Sequence, residues 1–183
     1  MKSLSLNNPH AIVMVGIPGS GKSFFAEKFS HTFGMPHIDI EALFRFTTSD
    51  TMADELLLHI LSEITKTQSS LIIEAEASSR ARRTELAKFF KSKGYEVLYV
   101  WVQTDNETSK QRTIKTRGVG PEYFDTAIKK FSAPHSSERP LVISGKHTYA
   151  SQAKIVLKRL SAPRVDISSH QKPPIRKGTI TVR

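Results

Sequence analysis

Short apolar runs alternate with amphipathic stretches along most of the chain. The apolar runs predict buried strands, which we place at residues 11–15, 36–39, 71–74, 95–102 and 140–144. Apolar residues at helical spacing predict helices, which we place at residues 22–32, 80–94 and 148–160, with a further helix that opens near Thr51. Strands that alternate with helices are typical of an α/β domain built on a parallel sheet.

Two of these helices carry expectations about individual side chains. The helix after the first strand is expected to bury Phe24, Phe25 and Phe29 on its inner side. Thr51 and Asp54 have the spacing of a capping box, in which a hydroxyl group and an acid three residues later bind free backbone N–H groups. We therefore expect the second long helix to begin at Thr51.

The stretch at residues 105–117 has a different pattern. It can form a helix, but Ile114 is almost its only large apolar residue, so it has little with which to bind a core. It is also basic, with Arg112, Lys115 and Arg117 close together. We predict a small mobile lid at about residues 105–120 that brings these basic side chains to a bound ligand; the alternative is an exposed connector.

One motif points directly to chemistry. Residues 16–23 read Gly-Ile-Pro-Gly-Ser-Gly-Lys-Ser, which matches the phosphate-binding pattern G-x-x-x-x-G-K-[ST] between a predicted strand and a predicted helix. In such a loop backbone N–H groups point at phosphate oxygens, the lysine reaches the β- and γ-phosphates, and the serine hydroxyl binds Mg²⁺. The motif predicts that ATP and Mg²⁺ bind at Gly16, Ile17, Pro18, Gly19, Ser20, Gly21, Lys22, Ser23 and Phe24.

Acidic residues follow two of the predicted strands. Asp39 ends the second strand, where it either orients and deprotonates an acceptor hydroxyl group or caps the next helix. Glu74 ends the third strand in the place of a Walker B acid, so we predict that it holds the metal together with Ser23. Glu76 lies two residues on and is predicted to face the substrate. The alternative for both glutamates is a solvated strand end.

Several arginines are candidates for binding an anionic group. Arg45 follows Asp39 by six residues, and Arg80 and Arg83 lie at the start of a helix, where positive charge opposes the helix dipole. We predict that these three contact the substrate and that Lys22, Asp39, Arg112 and Arg117 are catalytic. A solvated surface is the alternative for the three substrate arginines.

Composition limits the classes of protein that remain. The 183 residues contain no cysteine, which excludes disulfides, thiolate zinc sites and a cysteine nucleophile. Residues 80–183 hold 22 Lys and Arg against 8 Asp and Glu, which suggests an anionic partner such as a nucleic acid or a phosphate-rich small molecule, or else a basic surface. No apolar run is long enough for a membrane span and no secretory signal is evident, so we expect a cytoplasmic protein. We also expect a monomer or weak dimer.

We expect one domain over residues 1–160, followed by a basic, proline-containing tail at residues 161–183 that is extended or partly disordered.

The P-loop, the strand end at Asp39 and the segment Leu-Ile-Ile-Glu-Ala-Glu-Ala-Ser-Ser-Arg-Ala-Arg-Arg at residues 71–83 together resemble a known group. They are similar to the small P-loop kinases of the polynucleotide kinase and zeta-toxin-like group, ATP-binding proteins of AAA type, over residues 11–160. The resemblance implies a three-layer α/β/α fold with a five-stranded parallel sheet and a small helical lid. It also implies ATP with Mg²⁺, a role for Asp39 at the acceptor hydroxyl group, and lid arginines at Arg112 and Arg117.

These observations predict an ATP-dependent kinase that phosphorylates a hydroxyl group. Two acceptor classes remain open, a polynucleotide 5′-hydroxyl group and a small molecule such as a sugar or nucleoside. A protein of another class also remains open, namely an NTP-binding or NTP-hydrolysing switch with negligible transferase activity.

Overall fold

The computed structural model describes residues 6, 8–75 and 77–162. Glu76 and residues 163–183 therefore lie outside the described residues, together with the predictions made for them.

The centre of the molecule is a sheet of five parallel strands in the order β2-β3-β1-β4-β5. The strands are β1 (His10–Val15), β2 (His37–Asp39), β3 (Leu71–Glu74), β4 (Glu96–Gln103) and β5 (Leu141–Ser144). In the register of the sheet, Ile12 of β1 lies between Ile72 of β3 and Leu98 of β4. Its apolar run is buried because both faces of this central strand are covered by helices.

In the part of the chain that the structure describes, seven α-helices surround the sheet: α1 (Lys22–Phe33), α2 (Ile40–Leu43), α3 (Asp50–Lys66), α4 (Arg80–Ser92), α5 (Asn106–Arg117), α6 (Pro121–Lys130) and α7 (Tyr149–Leu160). Two short 3₁₀ helices lie at Phe44–Phe46 and Ser136–Glu138. One layer, α1 and α7, packs Phe25, Phe29 and Val156 against one face of the sheet. The other layer, α3 and α4, packs Leu57, Leu61 and Phe90 against the opposite face. The predicted three-layer α/β/α fold is confirmed.

Two expectations about side chains are wrong. The side chain of Phe24 is 51% exposed, because successive residues of a helix lie about 100° apart and the buried stripe of α1 follows Phe25 and Phe29. The helix α3 begins before Thr51: Ser49 is its N-cap and accepts a hydrogen bond from the Met52 amide at 3.2 Å. Ser49 has the extended backbone that an N-cap residue adopts, so the cap forms two residues earlier than the capping-box spacing indicates.

Within the described residues, no helix combines the length and the apolar character that crossing a bilayer requires.

Candidate nucleotide and acceptor site

The phosphate-binding loop lies between β1 and α1, as its sequence predicts. The loop turns on itself, with the Ser20 amide donating to the Ile17 carbonyl at 3.2 Å. The Lys22 ammonium group bends back over the loop and donates to the carbonyls of Gly16 at 2.8 Å and Ile17 at 3.0 Å. Burial lowers the pKa of Lys22, and the nearby Glu74 carboxylate opposes that shift. The lysine is thus held at the centre of the loop by hydrogen bonds to its own backbone.

Two neighbouring segments approach this loop too closely to leave room for a side chain. Gly19 has φ +72°, and a Cβ atom there would overlap the Ser109 carbonyl of α5. A Cβ atom at Gly145, in the turn between β5 and α7, would overlap the Ser20 carbonyl. The loop is therefore enclosed by α5 on one side and by the turn before α7 on the other.

A hydrogen-bonded chain of three side chains lies beside the loop. The Ser23 hydroxyl group donates to Glu74 Oε2 at 2.8 Å, and His37 Nε2 lies 2.9 Å from Glu74 Oε1. The hydrogen bond with Glu74 is the main cause of the raised pKa of His37. A serine hydroxyl group and a carboxylate within contact distance are oxygen ligands of the kind that Mg²⁺ takes, directly or through water, so these residues fit the predicted metal.

Asp39 lies next to this chain at the end of β2. Its register partner across the sheet is Glu74, so the two carboxylates share one edge of the sheet. The Asp39 carboxylate accepts a hydrogen bond from the Glu41 amide at 2.9 Å, which makes it the N-cap of α2. Burial is the main cause of its raised pKa, and the carboxylates of Glu74 and Glu41 add to the shift. Asp39 is thus a helix cap, and its elevated pKa also suits a proton acceptor.

The predicted lid segment forms α5, and its arginines face the same region. The Arg112 guanidinium donates to the Gly145 carbonyl at 3.2 Å, and Arg117 binds both carboxylate oxygens of Glu41 at 2.9 and 2.7 Å. The residues that α5 buries are small and polar, Ser109 and Thr113, whereas Ile114 is 37% exposed. The helix is therefore held over the site by polar contacts and close packing rather than by an apolar stripe.

These groups line one cavity of about 770 Å³. Of the predicted site residues, the cavity wall includes Pro18, Gly19, Gly21, Lys22, Ser23, Phe24, Asp39, Glu74, Arg112 and Arg117. The carbonyls of Gly16 and Ile17 accept hydrogen bonds from Lys22, and Ser20 is a fully buried residue of the loop. The volume is within the range of about 300–1,000 Å³ that is common for small-molecule sites.

None of the three arginines predicted to contact the substrate lines this cavity. The prediction for Arg83 is wrong: its side chain is fully buried, it binds Glu138 at 2.7 and 3.1 Å, and it donates to two backbone carbonyls. All of these contacts are internal, so Arg83 stabilises the fold. Arg45 and Arg80 are exposed and lie outside the cavity wall.

The cavity wall also contains ionisable residues that the sequence analysis did not predict as site residues: Glu41, Asp50, Asp54, Arg82, Lys146 and His147. Arg82 was visible as one of three arginines at the start of a helix, but their order alone does not show which of them faces the cavity. Arg82 binds Asp54 of α3 at 2.7 Å and Glu85 at 3.3 Å.

Comparisons with known proteins agree with this geometry. The family model described as AAA domain matches residues 12–134. Comparison with curated proteins finds no match. A gluconokinase from Sinorhizobium meliloti 1021 has a similar structure, with a TM-score of 0.65, 20% identity, and coverage of 83% of this chain and 91% of that one. A sugar kinase from Janibacter sp. HTCC2649 has a TM-score of 0.59 and 19% identity, with coverage of 82% and 93%.

The family match spans more than half of the chain, and the predicted loop, the five-stranded parallel sheet and the helix α5 all occur in the structure. The chain therefore belongs to the AAA domain family and has the fold of the small P-loop kinases.

Proposed function

We propose that this protein is an ATP-dependent kinase that transfers the γ-phosphoryl group of ATP to a hydroxyl group of a small molecule. The observation that carries the proposal is that one cavity holds the P-loop lysine, the Ser23–Glu74 pair and the Asp39 carboxylate. A donor site and a candidate base for an acceptor therefore share one space, which a simple nucleotide-binding switch does not need.

On the donor side, the loop from Gly16 to Ser23 and the start of α1 would hold the phosphates, with Lys22 as the nearest cation. Ser23 and Glu74 would hold Mg²⁺, which when bound neutralises charge on the β- and γ-phosphates. Gly145, Lys146 and His147 line the cavity beyond the loop and would face the rest of the nucleotide.

On the acceptor side, Asp39 would accept the proton of the attacking hydroxyl group. The hydroxyl oxygen forms a bond to the γ-phosphorus, the bond from that phosphorus to the β,γ-bridging oxygen breaks, and the products are a phosphate monoester and ADP. Arg112 and Arg117 line the same space and would supply positive charge near the transferring group. A small acceptor agrees with the two structural neighbours, which are a gluconokinase and a sugar kinase.

The test is transfer of labelled γ-phosphate from ATP to separate pools of sugars and polyols, nucleosides, and oligonucleotides that carry a 5′-hydroxyl group. We expect ADP release that depends on the acceptor and a labelled small-molecule product. Lys22→Ala is the matched inactive control. ATP cleavage to free phosphate that no acceptor accelerates would instead indicate an NTP-hydrolysing switch.

A further inference from the structure

The acceptor half of the main cavity carries more negative than positive groups. Its wall contains the carboxylates of Asp39, Glu41, Asp50 and Asp54 and the guanidinium groups of Arg82, Arg112 and Arg117. Two of the three guanidinium groups already bind carboxylates, Arg82 that of Asp54 and Arg117 that of Glu41. An anionic acceptor would therefore meet like charge without an excess of cations to compensate it.

A second cavity of about 340 Å³ adjoins this half, between α3 and α4. The two cavities share four wall residues, Ile40, Asp54, Ala75 and Arg82. The rest of the second wall is mainly apolar, with Leu57, Leu58, Leu86 and Phe89. Among its charged members, Arg82 binds both Asp54 and Glu85.

The size of the second cavity suits a compact apolar group. An apolar cavity of about 150 Å³ is large enough to bind benzene, so about 340 Å³ accommodates a ring with substituents. Leu58, in the wall of the second cavity, is 52% exposed. Apolar surface therefore faces solvent next to the main cavity, which Asp39 lines. Covering that surface would favour binding of an apolar group.

We propose that the phosphoryl acceptor is an uncharged small molecule with its reactive hydroxyl group at Asp39 and an apolar group in the cavity between α3 and α4. This inference rests on the proposed function and narrows its substrate class. The Arg82–Asp54 pair lies between the two ends of such a molecule, where it can bind a second hydroxyl group or a ring heteroatom. Acid sugars and polynucleotide ends are disfavoured by the carboxylates.

The test compares four probes by amide chemical-shift titration of the full chain with a non-hydrolysable ATP analogue and Mg²⁺. The probes are 1-phenyl-1,2-ethanediol, glycerol, gluconate and an oligonucleotide with a 5′-hydroxyl group. The first two share a vicinal diol and differ mainly in the apolar ring. We expect the phenyl diol to bind at least about tenfold more tightly than glycerol, as burial of a ring predicts. Equal binding of the two diols, or tighter binding of gluconate or the oligonucleotide, would overturn the proposal.

Leu58→Asp should remove the advantage of the phenyl diol over glycerol. Ile155→Asp is the matched control, because Ile155 is also a partly exposed apolar residue, 38% exposed on α7, and does not line either cavity. If Leu58→Asp lowers the thermal midpoint, Leu58→Gln replaces it. An unchanged preference in a folded Leu58 variant would contradict the proposal.

Label transfer to gluconate or to the oligonucleotide would support the kinase function and reject this acceptor class. Phenyl-diol binding without transfer to any hydroxyl compound would instead reject the kinase function and leave the binding site in place.

Discussion

Glu74 is the residue on which the site converges. One of its carboxylate oxygens accepts from Ser23 and the other lies 2.9 Å from His37, so contacts on both sides set the orientation of the group. Its side chain is only 8% exposed, and a buried carboxylate group needs hydrogen bonds to its oxygens, which Glu74 has on both sides. A buried acid at this strand end is therefore preorganised before any ligand binds.

Lys22 can be removed without disturbing the core. Its ammonium group binds only carbonyls of its own loop among the hydrogen bonds described, so Lys22→Ala should leave the fold intact. We expect ATP turnover to be abolished, because the cation nearest the phosphates is lost. ATP consumption and the circular dichroism spectrum measure the two effects. Lys66→Ala, at an exposed lysine of α3, is the control, and turnover by Lys22→Ala at the wild-type rate would reject the role of the loop.

Asp39 has two roles that one substitution can separate. Asn also caps helices well, so Asp39→Asn should preserve α2 while it removes the proton acceptor. We expect nucleotide affinity to stay the same and phosphoryl transfer to fall roughly 10²–10⁴-fold, the usual contribution of a general base. Single-turnover rates and nucleotide titration provide the measurement. A variant that transfers phosphate normally would leave Asp39 as a helix cap only.

At the scale of elements, α5 has an unusual attachment. It buries Ser109 and Thr113 against the P-loop and is joined to the rest of the molecule by ion pairs, Lys110 with Asp125 and Arg117 with Glu41. Exposed ion pairs contribute only about 0–1 kcal/mol each, so these contacts hold the helix weakly. A helix attached in this way can shift when a charged ligand arrives.

We therefore expect the order of α5 to depend on nucleotide. Amide exchange over residues 105–117 should be fast without nucleotide and slower with an ATP analogue and Mg²⁺, because the triphosphate attracts Arg112 and Arg117. Arg112→Ala and Arg117→Ala should lower turnover more than they lower the free energy of unfolding. Exchange measured by mass spectrometry tests the first point. Identical protection in both states, together with fully active arginine variants, would make α5 a static connector.

The pair of Arg83 and Glu138 joins α4 to the short helix before β5. The buried Arg83 guanidinium lowers the pKa of Glu138 below its ordinary value of 4.5. The Glu138 carboxylate therefore binds a proton more readily in the unfolded chain than in the folded protein. The stabilisation that its pairing with Arg83 provides is present above about pH 4.5 and is lost as the pH falls through the lower pKa of Glu138 in the folded state.

Glu138→Gln should lower the free energy of unfolding by about 3 kcal/mol near neutral pH, because a buried arginine loses its countercharge. The difference from wild type should shrink as the pH falls below about 4.5. Urea unfolding at a series of pH values measures it. Lys66 also lowers the pKa of Glu63, but this pair is exposed and screened by solvent, so Glu63→Gln should show a much smaller pH-dependent difference. A Glu138→Gln effect that is constant between neutral and acid pH would contradict the assigned linkage.

At the scale of the whole molecule, net charge and site charge differ in sign. The chain carries +10, yet the half of the cavity that we propose for the acceptor holds four carboxylates against three guanidinium groups. Overall charge governs long-range attraction, whereas an acceptor responds to the groups within a few ångströms. The basic composition is therefore a poor guide to the acceptor.

Nucleotide should stabilise the whole domain, because its site is built from segments far apart in the chain: the loop after β1 and the turn before α7. A ligand at about 100 times its Kd adds about 2.7 kcal/mol to the free energy of unfolding. The thermal midpoint should rise with an ATP analogue and Mg²⁺ in wild type and much less in Lys22→Ala. Equal shifts in both proteins would place the nucleotide elsewhere.

The features that the sequence predicted well depend on residues that lie close together along the chain. The P-loop is a continuous motif, and buried strands of a parallel sheet are continuous apolar runs, so both can be recognised without knowing what they contact. The ends of parallel strands meet at one edge, which is why Asp39 and Glu74 could be placed together. The α/β fold, the loop and the positions of Asp39 and Glu74 thus followed from the sequence by itself, whereas Glu41, Asp50 and Asp54 of the cavity wall did not.

The features that only the tertiary structure decided depend on residues far apart in the chain. Arg82 and Arg83 are adjacent, yet one lines the cavity and the other is buried, because the packing of α4 presents one to Asp54 and the other to Glu138. Helical periodicity sets the angle between two residues but not which neighbour each one meets. The cavity between α3 and α4 arises in the same way, from packing across about 30 residues of sequence, and our proposal of an acceptor with an apolar group rests on this cavity.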